Sequence, residues 1–79
     1  MDELMGFVTG NNNRQKLLTL LGAKGGMDEP RIAKTMHLVS VSVDRMLEEL
    51  MEKDLITQED GLYQLTELGT TIERKIQSL

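Results

Sequence analysis

Between Asp28 and Met51 the sequence encodes two helices separated by a tight turn, and few folds accept that spacing. Asp28 supplies a side-chain oxygen to start the first helix, and Pro30 falls in the opening turn, where its missing N–H costs little. Ile32, Ala33 and Met36 then share one face of a short helix of about nine residues. His37-Leu38-Val39 contains no breaker residue, yet Ser40 reads as a fresh N-cap. Beyond it Val43, Met46, Leu47, Leu50 and Met51 recur at i, i+3, i+4, i+7 and i+8, a full amphipathic stripe. A short helix, a brief turn and a longer helix form helix-turn-helix spacing.

The flanking segments complete the pattern. Residues 1–12 are expected to form an N-terminal arm or short helix, carrying Leu4, Met5, Phe7 and Val8 between Gly6 and Gly10. Asn11, Asn12 and Asn13 offer caps to a helix built on Leu17, Leu18, Leu20 and Leu21, which Gly22 and Gly25-Gly26 are expected to end. Downstream, Asp60-Gly61 separates Leu55–Glu59 from Leu62–Leu65, a hairpin signal because a type I′ turn requires positive φ at both central residues. That turn pairs Ile56 with Leu65 and Gln58 with Tyr63, giving an apolar inner end and a polar tip. Thr66 then caps a last helix with Leu68, Ile72, Ile76 and Leu79 on one side. The expected fold is mainly α with a small β-hairpin wing. It is a winged helix-turn-helix over residues 13–79, with a three-helix core, a two-stranded wing and a C-terminal helix.

Composition removes most other functions. A chain of 79 residues holds one small domain. With no cysteine there is no disulfide scaffold or thiol nucleophile, and a single histidine cannot build a His-rich zinc site. No apolar run approaches the roughly 20 residues of a membrane span, and the acidic start lacks the basic region of a secretory signal. A cytoplasmic setting is expected. Gly22-Ala23-Lys24-Gly25-Gly26 lacks the Gly-Lys-Ser/Thr order of a phosphate loop. Glu48, Glu49 and Glu52 point apart along one helix and form no acid–base pair, and the methionines at apolar positions read as core. No enzyme, cofactor or metal is expected.

Three stretches resemble a known family. Met27-Asp28-Glu29-Pro30-Arg31-Ile32-Ala33-Lys34-Thr35-Met36 looks like the second helix of winged helix-turn-helix transcription regulators. Ser42-Val43-Asp44-Arg45-Met46-Leu47-Glu48-Glu49-Leu50 with Lys53-Asp54-Leu55-Ile56 is similar to their recognition helix running into the wing. Gly61-Leu62-Tyr63-Gln64-Leu65-Thr66-Glu67-Leu68-Gly69 resembles the segment that closes the wing and opens the last helix. The likeness is to the MarR and arsenic-repressor type of prokaryotic regulator, archaeal or bacterial. Two positions depart from it: His37 and Asp54 stand where such proteins commonly carry glycine. The wing tip, Gln58-Glu59-Asp60-Gly61, is acidic where theirs is often basic.

The resemblance implies a DNA-binding transcription regulator that reads the major groove with its third core helix. Ser40, Val41, Ser42 and Arg45 are the expected base-facing residues, Arg45 as a bidentate partner of guanine and Val41 against a thymine methyl. Arg31, Lys34, Thr35 and His37 are expected at phosphates, with His37 also read as the cap of the second helix or a pH sensor. A homodimer is expected through Leu4, Phe7, Val8, Leu68, Ile72, Ile76 and Leu79, helped by Met5. The net charge of −4 divides unevenly: residues 11–26 sum to +3, residues 40–54 to −3 and residues 55–65 to −2. The rival reading is therefore a protein-interaction module that docks a basic partner on the acidic surface from Asp44 through Asp60.

Overall fold

Side-chain caps start three of the helices in the computed structural model, which describes residues 2–79 and the side chains of residues 3–79. The elements are α1 (Asp2–Thr9), α2 (Asn12–Lys24), α3 (Glu29–Met36), α4 (Ser40–Glu52), β1 (Ile56–Glu59), β2 (Leu62–Leu65) and α5 (Glu67–Gln77). Asn11 Oδ1 accepts from the N–H groups of Asn13 and Arg14 at 2.9 and 3.2 Å. Asp28 Oδ1 accepts from Arg31 at 2.9 Å, and Thr66 Oγ1 from Gly69 at 3.0 Å. Each satisfies a backbone donor that the helix itself leaves open. The fourth start differs from expectation. Val39, not Ser40, is the N-cap of α4, and it makes no side-chain cap bond.

The ends of α3 and α4 explain the two departures from family glycine. His37 has φ 58° and Asp54 φ 60°, both left-handed. At the first, Leu38 N–H donates to Ala33 O at 3.0 Å and His37 N–H to Lys34 O at 3.3 Å. At the second, Leu55 donates to Leu50 O and Asp54 to Met51 O, both at 3.0 Å. These are paired Schellman closures, a motif in which glycine is the usual left-handed residue. Here the backbones of His37 and Asp54 take that conformation despite a side chain, so the capping role expected of His37 is carried by its main chain.

The wing has the expected register, Ile56 opposite Leu65 and Gln58 opposite Tyr63, with positive φ at Asp60 and Gly61. A further contact was not legible in the sequence. Met27 exchanges two backbone hydrogen bonds with Tyr63, 3.0 and 2.7 Å, and so forms a one-residue third strand just before α3. At the other end, Thr66 Oγ1 donates to Asp54 O at 2.6 Å and Thr66 N–H to Leu55 O at 3.1 Å. Gly69 lies directly on the Leu55 carbonyl, where a Cβ would fall 2.9 Å from the carbonyl carbon and closer still to the oxygen. The wing is thus tied to α3 on one side and α5 on the other.

Leu17, Leu18 and Leu21 of α2 lie in the middle of the core, against Ile32, Val43, Leu47, Leu50, Leu55 and Ile72, all at most 2 % exposed. Burying each such side chain is worth about 1.5–3 kcal/mol. Two expectations are corrected by this packing. Gly22 does not end its helix but lies inside α2, which runs on to Lys24 and stops at Gly25 with φ 76°. Val8, Ile72 and Ile76, expected between two copies, are buried in the core of the single chain.

Candidate nucleic-acid interface

Helical geometry puts Val41, Arg45, Glu48 and Glu52 on the outermost line of α4, at spacings of three and four residues. The opposite side, Val43, Met46, Leu47 and Leu50, is buried. Along that line a partner meeting α4 end-on finds a neutral turn of Ser40, Val41 and Ser42, then the Arg45 guanidinium, then Glu48 and Glu52, while exposed Asp44 lies to the side that faces the wing. Ser40, Val41, Ser42 and Arg45 are all exposed, and Val39 and Val41 stand out at 68 and 71 %. The first-turn N–H groups of α4 have no side-chain cap to occupy them.

Two depressions hold five of the eight residues expected at DNA. Val41, Ser42 and Arg45 share one of about 310 Å3 with Asn11, Asn13 and Arg14, between α2 and α4. Arg31 and Thr35 line another of about 310 Å3 with Lys24 and Met27, between α2 and α3. Lys24 is thereby brought beside two of the expected phosphate residues, a placement the sequence did not suggest. Lys34 and His37 are exposed nearby in the chain, at the end of α3, but line neither depression.

Helix spacing would allow an i,i+4 pair of Arg45 with Glu49, but that pair is not formed. Glu49 instead meets Arg14, whose Nη2 lies 3.1 Å from Oε2 and whose Nε lies 3.4 Å from Oε1. Arg14 Nη1 also donates to the Phe7 carbonyl at 3.1 Å, and the guanidinium sits 4.0 Å from the Phe7 ring centroid. One side chain thus joins α1, α2 and the candidate recognition helix, and it leaves Arg45 free of any ion pair among the described residues. On the other flank, burial first and then the carboxylates of Asp44, Glu29 and Glu48 push the Tyr63 hydroxyl above its ordinary pKa of 10.0. That flank, between α4 and the wing, carries acid. Among the described residues no cluster of His, Cys, Asp and Glu suits a metal, and no helix is long and apolar enough to cross a membrane.

A family model described as winged helix-turn-helix matches residues 14–79. The chain belongs to the winged helix-turn-helix family. Members of this family are generally not enzymes. Solved structures add the nearer likeness. A MarR family protein of Mycobacterium tuberculosis superposes with TM-score 0.81 at 13 % identity, over 95 % of this chain and 58 % of that one. MepR, the transcription regulator of the Staphylococcus aureus multidrug efflux pump MepA, gives 0.81 at 25 % identity, over 86 % and 56 %. Quinone-bound YodB from B. subtilis gives 0.85 at 21 % identity, over 96 % and 86 %. The winged helix-turn-helix chain spans a little over half the length of the first two. No curated protein matches it.

Proposed function

We propose that this winged helix-turn-helix chain binds duplex DNA as a transcription regulator, entering the major groove with the N-terminal turn of α4. The observation that carries the reading is the neutral, uncapped, exposed start of α4 with an unpaired Arg45 one turn along. Ser40, Val41, Ser42 and Arg45 face base edges, and Arg31, Lys34, Thr35 and His37 lie toward phosphates. Lys24 joins them from the shared depression. The family resemblance to MarR-type regulators supports the same assignment.

The acid farther along α4 limits how the helix docks. Glu48 and Glu52 oppose phosphate approach, which favours entry tilted onto the first turn over a helix laid flat in the groove. Fluorescence anisotropy with a random duplex at low salt tests the reading. Binding is expected, weakening steeply with salt, and Arg31→Ala with Lys34→Ala should each lower the salt slope by about 0.9. Arg45→Ala should remove preference among sequences by about 1–3 kcal/mol, and Glu48→Gln should tighten binding at low salt. No binding to any duplex at low salt refutes it.

Such regulators act in pairs when half-sites are symmetric, and a homodimer belongs to this proposal. Leu79 is 86 % exposed and shares a depression with Met5, Lys75 and Ser78, while Leu4, Phe7 and Leu68 are only partly covered. A monomer by light scattering at micromolar concentration refutes the dimer. A second reading, docking onto a basic protein, is favoured by the exposed acids Glu48, Glu52, Glu59 and Asp60 on α4 and the wing tip. Failure of DNA binding together with capture of a basic peptide would select it.

A further inference from the structure

A buried carboxyl group without a partner is a costly arrangement, and α5 holds one. Glu73 is 7 % exposed, and its Oε2 is enclosed with no hydrogen-bond partner among the described residues. It lies beyond the first turn of α5, and the first turn is the part of the helix where the dipole would support an acid. Glu29 also has an enclosed oxygen, but it opens α3, where the dipole favours it. The neighbouring helix makes room for Glu73. At Gly22, inside α2, a Cβ would stand 2.9 Å from Glu73 Oε1 and 3.1 Å from its carboxyl carbon. A glycine weakens a helix interior, and at this point it leaves the carboxyl space.

Glu73 lines a crevice of about 290 Å3 between α2, β2 and α5. Leu21 and Leu65 form apolar wall, Gln64 and Thr70 add polar groups, and exposed Arg74 stands at the rim. The volume is at the lower edge of small-molecule sites. A buried acid calls for a cation, whereas the guanidinium of Arg74 at the mouth repels a purely cationic molecule and attracts an anion. We infer that the crevice binds a small zwitterion of amino-acid type, with an ammonium or guanidinium head against Glu73 and a carboxylate at Arg74. The inference stands apart from DNA binding, since none of these residues lies on the candidate nucleic-acid face.

Amide chemical shifts of the isotope-labelled chain, titrated with L-arginine and with agmatine (the same molecule without the carboxylate), test it. L-Arginine should give saturable shifts at Gly22, Gly25, Gln64, Thr70 and Glu73, in the millimolar range or tighter. Glu73→Gln should weaken it at least tenfold. Arg74→Gln should weaken L-arginine and leave agmatine unchanged or tighter. Gly22→Ala, which pushes the carboxyl aside while improving the helix, should weaken both without loss of melting temperature. Shifts that never saturate, or saturable binding that Glu73→Gln leaves intact, overturn the assignment. So does L-arginine binding no tighter than agmatine to the unaltered chain, which would deny Arg74 its part.

Discussion

Replacing Gly69 with alanine tests the joint between wing and last helix. The added methyl would overlap the Leu55 carbonyl oxygen and stand 2.9 Å from its carbon and 3.4 Å from its Cα. Carbon atoms in contact prefer about 3.5–4.0 Å, so the two backbones must separate. Neither yields easily. Leu55 is fully buried and its N–H is held by Leu50 O at 3.0 Å, while Thr66 binds both the Asp54 and Leu55 carbonyls. Separation weakens the Thr66–Leu55 hydrogen bond, about 1 kcal/mol, and disturbs the Thr66 cap, about 1 kcal/mol. Overpacking adds about 1–3 kcal/mol, and the better helix propensity of alanine returns about 1 kcal/mol. The net loss is about 3 kcal/mol, which for a domain this size lowers the melting temperature by roughly 12 to 24 °C. Circular dichroism on heating reads it, with Gly6→Ala as the comparison. Gly6 is exposed in α1 with open space where a Cβ would go, so that variant should gain about 0.5–1 kcal/mol. A Gly69→Ala protein melting within two or three degrees of the unaltered chain, on a scale of about 4–8 °C per kcal/mol, refutes the close approach.

Three further outcomes follow from features already described. His37→Gly and Asp54→Gly should each stabilise the domain by about 0.5–1 kcal/mol, because both residues hold positive φ against their side chains; urea titration measures it, and a loss of stability would mean the side chains themselves are needed. Arg14→Ala should cost about 1–2 kcal/mol, and a double-mutant cycle with Glu49→Ala should show coupling of about 0.5–1 kcal/mol that fades with salt. Tyr63 is the single tyrosine of the chain, so its phenolate absorbance titrates alone. Its folded pKa is raised, so the native state resists ionisation, and stability present below pH 10.0 should fall as pH rises past that value toward the folded pKa. Tyr63→Phe should remove that alkaline component from the melting profile.

Local chemistry was the part of this fold most legible in the sequence. Asp60-Gly61 fixed the hairpin register because the turn type and the strand pairing are one constraint, and Asp28 and Thr66 marked their helix starts by bonding only three residues ahead. Partners distant in the chain were not legible. Arg14 and Glu49 are 35 positions apart, and nothing in either neighbourhood selects the other over Arg45. The strand at Met27 is one residue long and has no period to detect. An apolar stripe says that Ile72 and Ile76 are covered without saying by what, and α2 rather than a second chain supplies much of that cover. Gly22 looked like a helix end because glycine usually is one; its reason to be there is Glu73, fifty-one positions on. For the candidate site, three of the residues named from sequence, Val41, Ser42 and Arg45, share one depression and two others, Arg31 and Thr35, share a second with Lys24, which sequence did not single out.

The Met27–Tyr63 bridge bears on what the wing can contribute to recognition. A hairpin of two four-residue strands is marginal alone and would spend part of any contact energy on becoming ordered. Here two backbone hydrogen bonds already hold Tyr63 to the segment that leads into α3, so less of the wing is left to order when a partner arrives. The distance from its tip to α3 is consequently set by the fold. A change of charge at Glu59 or Asp60 should then pass into affinity nearly undiminished, which makes the tip the most economical place for this chain to gain or lose a partner.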